Sequence, residues 1–130
     1  MLLLDASAAV ALLINAPKER VDALRARLRG ESVHAPYLLD LEVTQAICNL
    51  LLRGFLDLQR ATACVRNWQA VPLTRHPHLP FLARVWALRG NLTAFDAAYV
   101  ALAEGMEAPL LTLDRRLGLA PGHSAVVETF

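Results

Sequence analysis

The chain has 130 residues and a net charge of +1, and 55% of it is hydrophobic, for a mean hydropathy of +0.37. That is enough chain for one core and too little for two, so a single domain over residues 1–130 is expected, with no global basic field to attract polyanions. No stretch approaches the roughly 18 uninterrupted apolar residues of a membrane span, and Asp5 interrupts what a signal peptide would keep apolar; a cytoplasmic protein without membrane attachment is expected, with apolar surface to spare for a partner or a second copy.

In chain order, Leu2–Leu4 reads as a buried strand that ends on Asp5, and SAAVALLIN as a short buried helix finishing near Asn15. Pro17 opens PKERVDALRARLRG, with Val21, Leu24 and Leu28 as its apolar stripe, Arg20, Arg25, Arg27 and Arg29 on the wet side, and Gly30 as the stop. SVHAP reads as a strand. YLLDLEVTQAICNLLLRG reads as a long helix burying Leu39, Val43, Ala46, Ile47, Leu50 and Leu51, with Gly54 past its end. Asp57 caps LQRATACVRNWQ, VPLT reads as a strand, and HPHLPFLARVWALRG as a further helix. In NLTAFDAAYVALAEG, Thr93 and Asp96 resemble a capping box and Gly105 closes the helix. APLLTLD is again an apolar strand ending in aspartate, Asp114, and SAVVETF is the last strand. Cys48 and Cys64 read as small buried thiols, and the four histidines show no zinc spacing.

Strands alternate with helices and hairpin signals are missing, which predicts an α/β sandwich with a mainly parallel central sheet flanked by helices. In such sheets ligands gather beyond the carboxyl ends of the strands. Asp5 and Asp114 occupy that position on two strands, and Glu42 and Asp96 lie in the opening turns of helices, so the topology can bring four carboxylates together. Each also has a plain structural reading: a helix cap for Asp5, a dipole-complementing acid for Asp96, an exposed helix acid for Glu42, a turn residue for Asp114. Clustered carboxylates repel by about 4 kcal/mol per pair at 4 Å in an effective dielectric of 20. An oxygen-only set suits a hard cation, Mg²⁺ or Mn²⁺, and with it metal-assisted phosphodiester hydrolysis. Thr112, two before Asp114 on a strand, shares its face, and Thr93 precedes Asp96 by three on a helix; either can orient a carboxylate or water. Asp40 and Glu42, two apart on a helix, point to nearly opposite sides, so only one can face the ion.

The stretches LLLDASAAVALL, YLLDLEVTQAI, LTAFDAAYVALAE and APLLTLDRRL, in this order, resemble the PIN-domain ribonucleases, in particular the VapC-type toxins of bacterial toxin–antitoxin pairs. The resemblance implies a PIN-like three-layer sandwich in which Asp5, Glu42, Asp96 and Asp114 are the catalytic and metal-binding acids and Thr112 takes a hydroxyl position beside them. It implies a Mg²⁺- or Mn²⁺-dependent endoribonuclease that cuts tRNA, rRNA or mRNA to halt translation, a homodimer, and a cognate VapB-like antitoxin lying along an apolar groove. Some relatives carry another acid after the last motif aspartate, where this chain has Arg115 and Arg116, which puts a two-ion mechanism in question. Arg115, Arg116, Arg75, His76 and His78 are the expected RNA contacts near that edge. The competing readings are a non-catalytic interaction module on the same fold and a phosphoacceptor, receiver-like domain; the latter needs a lysine after a late strand, and the only lysine is Lys18.

Overall fold

The computed structural model describes residues 1–130. Five strands, β1 (Leu2–Leu4), β2 (Val33–Pro36), β3 (Thr74–His76), β4 (Leu110–Thr112) and β5 (Val127–Thr129), form one sheet in the order β3-β2-β1-β4-β5. Every neighbouring pair is parallel, so the sheet expected to be mainly parallel is wholly so. Seven helices connect the strands: α1 (Ala6–Ile14), α2 (Lys18–Leu28), α3 (Leu39–Leu52), α4 (Leu58–Gln69), α5 (Leu82–Ala87), α6 (Ala94–Met106) and α7 (Arg115–Leu119).

From β1 the chain moves outward to β2 and β3, then returns across the sheet to β4 and β5. Right-handed crossovers therefore place α1–α4 on one face and α5–α7 on the other, giving the three layers. The packing agrees: α1 lies against α2, α3 and α4, α5 against α6, and α7 against β5. The order reverses between β1 and β4, which makes the crevice beyond their carboxyl ends the topological switch point of the sheet. This order also differs from the flavodoxin-like one of receiver domains, in which the first and third strands are adjacent. Lys18 is engaged by Asp22 at 2.8 Å on its own helix, so the phosphoacceptor reading lacks both its sheet and its lysine.

β1 is covered on both faces: Leu2 and Leu3 are fully buried and Leu4 nearly so. Each contributes about 1.5–3 kcal/mol of burial, which anchors whatever follows the strand. α1 ends where Asn15 takes the left-handed conformation at φ 56°.

Four expectations are corrected. β3 begins only at Thr74, the last residue of VPLT, and runs on to His76, because Pro72 has no N–H to give a ladder and pairing starts with His34 opposite Thr74. HPHLPFLARVWALRG is a 3₁₀ turn over Leu79–Phe81 followed by the short α5 rather than one helix. α6 runs past Gly105 to Met106 and closes on Glu107 at φ 51°. Gly105 is there for packing: a Cβ on it would lie 2.7 Å from Cε1 of Phe81. Finally, Cys64 is buried but Cys48 is exposed, since α3 buries Leu39, Val43 and Ile47 and residue 48 lies a further 100° round the helix.

Candidate functional site

Asp5 leaves the end of β1 and is only 7% exposed; with Thr112 it is one of the two buried polar residues of the core. Its carboxylate is built into the fold by three donors. Oδ1 accepts from the Ala8 N–H at 3.0 Å, which caps α1, and from the Ser7 hydroxyl at 2.7 Å, while Oδ2 accepts from the Thr112 hydroxyl at 2.5 Å. The cap and the site are thus the same group using different lone pairs, and the two readings of Asp5 are not alternatives. Burial, with the charge of Asp114 adding to it, pushes its pKa up against the pull of the three donors.

Thr112, at the end of β4, also accepts the Asp114 N–H at 2.9 Å, and Ser7 accepts the Leu113 N–H at 2.8 Å. Each hydroxyl has one proton and gives it to Asp5. The two oxygens lie 3.2 Å apart, and together they tie the end of β1 to the end of β4 across the switch point.

Asp114 caps α7 through the Arg116 N–H at 2.9 Å and meets the Arg116 guanidinium at 3.3 Å. That arginine is 92% exposed, so the pair is screened and easily displaced. Asp96 lies in the first turn of α6. Thr93 accepts the Asp96 backbone N–H at 3.2 Å, but no bond returns from the Asp96 carboxylate, so only half of the capping box forms and the carboxylate is left for the site. Burial and the charge of Asp114 push its pKa up. Asp96 and Asp114 line one open pocket of about 550 Å³ with Thr93, Asn91 and Arg116.

Glu42 comes over the carboxyl edge from α3, and its Oε1 accepts the Tyr99 hydroxyl at 2.6 Å. Burial raises its pKa, and so do the charges of Asp96 and Asp5. Asp40 points the other way, as expected from about 200° of helical rotation. It accepts from Trp68 Nε1 at 2.7 Å and from Arg75 Nε and Nη2 at 2.7 and 3.0 Å, and the guanidinium holds its carboxyl below the usual range. This clasp pins the first turn of α3 to α4 and β3, and so fixes where Glu42 emerges.

The four acids named from sequence therefore face one edge and feel one another's charge: Asp5 that of Asp114, Glu42 that of Asp5 and Asp96, Asp96 that of Asp114. Asp5, Glu42 and Asp96 have no ion-pair partner within the chain. No three His, Cys, Asp or Glu side chains stand in chelating geometry as they are. All-oxygen donors, partly desolvated and short of positive charge, fit a hard divalent cation. Two site residues escaped the sequence reading, Ser7 and Tyr99. Both were findable by spacing, Ser7 two past Asp5 at the start of its helix and Tyr99 three past Asp96 on the same helix face.

Three of the expected RNA contacts are otherwise engaged. Arg75 is bound to Asp40, His76 Nε2 meets His34 Nδ1 at 2.9 Å, and His78 Nε2 accepts the Leu38 N–H at 3.1 Å.

Comparison with known proteins shows what the chain is similar to. The PIN domain family model matches residues 2–121. Ribonuclease VapC12 of Mycobacterium tuberculosis is 44% identical over 98% of both chains. VapC ribonuclease Mb0985 of Mycobacterium bovis is 36% identical over 90% of this chain and 88% of its own. Among solved structures, VapBC2 of Rickettsia felis, bound to a DNA fragment from its promoter, superposes with a TM-score of 0.70 at 11% identity, covering 98% of this chain and 96% of that one. M. tuberculosis VapC20, described as a sarcin–ricin loop cleaving toxin, superposes at 0.68 with 14% identity over 92% of this chain and 94% of its own.

Proposed function

The chain belongs to the PIN-domain family and stands with its VapC-type ribonucleases, and from that premise we propose that it is a metal-dependent endoribonuclease toxin of a toxin–antitoxin pair. The observation that carries the proposal is the set Asp5, Glu42, Asp96 and Asp114, brought to the switch point by four different elements, with three of the four making no ion pair within the chain. Mg²⁺ or Mn²⁺ is the cofactor. Bound there, it supplies a water acidic enough to attack at neutral pH and offsets charge on the phosphodiester.

The chain's own residues do the rest. Asp5, immobilised by Ser7, Thr112 and Ala8, keeps a lone pair on Oδ2 for the cation, and Asp96 and Asp114 form the opposite wall. Glu42 has Oε1 taken by Tyr99, which leaves Oε2 to receive a proton from the attacking water, a task its raised pKa suits. Thr112 contributes through Asp5, as a positioning residue.

The protein partners are an antitoxin and a second copy of the chain. What supports them is exposed apolar bulk, with Leu41, Leu52 and Phe55 at 75%, 83% and 69% exposure, and an apolar groove between Ile14, Ala16, Leu50, Phe55 and Leu56.

The test is cleavage of total cellular RNA by purified chain freed of its antitoxin. Cutting is expected with Mg²⁺ or Mn²⁺, is expected to stop in EDTA, and to return when metal is restored. Cutting that persists in EDTA would remove the metal, and no cutting with either ion would remove the enzyme. A second expectation concerns Tyr99, which is 2% exposed and donates to Glu42. Tyr99→Phe deletes one hydroxyl and no shape. Such outer-sphere partners are worth about 10–100-fold in metal affinity, a loss to be read by calorimetric Mn²⁺ titration, with unchanged affinity assigning the hydroxyl to packing alone.

A further inference from the structure

A groove of about 780 Å³, larger than the pocket of Asp96 and Asp114, does not contain the acids. It lies on the far side of α7 from them, lined by Arg20, Arg115, Thr129 and an apolar wall of Leu119, Val127 and Phe130, and no acidic residue lines it. Leu119 lines both this groove and the pocket of Asp96 and Asp114, so one short helix separates the two. The Phe130 N–H donates to the Thr112 carbonyl at 3.0 Å, which puts that wall directly beside the strand end that holds Asp5.

Both arginines are exposed, and neither makes an ion pair within the chain. Their position is fixed nonetheless. Arg27 is held on Glu128 of β5 at 2.8 Å, and Arg20 lies seven residues earlier, on the same face of α2 and about 10 Å along its axis. Arg20 therefore stands past the carboxyl end of β5, at the same edge as the acids. Arg115 opens α7 immediately after Asp114.

We propose that this groove is a second RNA subsite, in which Arg20 and Arg115 hold a backbone phosphate of the strand whose neighbouring phosphodiester lies at the acids. The chemistry is that of a nucleotide: two uncompensated guanidiniums, which suit phosphate oxygens, beside an apolar wall that accepts a base or sugar. Such a site solves an evident problem, since four carboxylates repel the polyanion they are to cut and Arg116, the cation beside them, is paired only loosely with Asp114. The inference rests on the RNA-cutting reading and locates where that RNA is gripped.

The experiment measures binding of a single-stranded RNA oligonucleotide by fluorescence anisotropy in EDTA, across a salt series, so that it does not depend on cleavage. The Arg20→Ala/Arg115→Ala chain is expected to bind about tenfold more weakly than wild type, with the slope of log K against log salt smaller by about 0.7 for each phosphate that is no longer neutralised. Arg20→Lys/Arg115→Lys should recover most of the affinity. Arg25→Ala/Arg66→Ala, which removes the same charge from exposed helix faces elsewhere, should change it little. Equal losses in the two alanine pairs would overturn the subsite and leave the ribonuclease reading intact. Unchanged RNA binding with weakened antitoxin binding would reassign the groove to the protein partner. Wild-type chain that neither binds nor cuts RNA would overturn both readings. Matching thermal melts of the variants exclude misfolding as the cause.

Discussion

An Asp96→Asn chain is expected to cut RNA at least about 10²-fold more slowly than wild type, yet to melt at an equal or higher temperature in EDTA. The two effects have one origin. Asp96 is half-buried and faces the charge of Asp114, which outweigh the pull of Thr93 and of Arg116, so its pKa in the fold lies above the ordinary 3.8. An acid whose pKa is raised on folding favours the folded state below its unfolded pKa, and that contribution is lost as pH rises through the folded value. At neutral pH the ionised carboxylate is therefore a cost to the fold, and asparagine removes it. The Thr93 cap is untouched, because Thr93 bonds the backbone N–H of residue 96. The gain belongs to the range of about 0.5–2 kcal/mol that relieved functional sites return, at its lower end given the site's access to water. Thermal melts with and without EDTA, run beside the cleavage assay, check both halves. A variant that loses activity and also melts well below wild type would make Asp96 a structural acid.

Thr112→Val should show the opposite pattern, with a large loss of stability. Thr112 is fully buried, donates to Asp5 Oδ2 and accepts from the Asp114 N–H. Valine keeps the volume but leaves a buried carboxylate oxygen and a backbone N–H without partners. The expected cost is about 2–4 kcal/mol, a fall in Tm of roughly 8–20 °C for a domain of this size. Cleavage falls with it, because Asp5 loses the bond that orients its free lone pair. Thr112→Ser keeps the hydroxyl and should stay within about 1.5 kcal/mol of wild type. Denaturant melts of both variants decide the matter; a valine variant as stable as the serine one would mean that the hydroxyl does not hold Asp5.

The acids were legible because their positions follow from local rules. An apolar run of the Leu2–Leu4 kind must be a central parallel strand, and an aspartate at its end must lie at the ligand edge. The same pattern before Asp114, with Glu42 and Asp96 in opening helical turns, was enough to propose a common site. Half-turn geometry likewise separated Asp40 from Glu42. Local rules misread Gly105, which looks like a stop and is a contact with Phe81, and Cys48, whose apolar neighbours in sequence lie on the other side of its helix.

By itself, then, the sequence determined the alternation of elements, the parallel sheet and the proposed set of four carboxylates, since each depends on periodicity and on residues a few positions apart. The tertiary structure alone decided which side chains serve those acids. Thr112 reaches Asp5 across 107 positions and Tyr99 reaches Glu42 across 57, and Arg75, a candidate RNA contact in sequence, is bound to Asp40 across 35. A hydrogen bond is decided within a few tenths of an ångström, and only the packing of whole elements against one another sets distances that finely between residues so far apart in the chain.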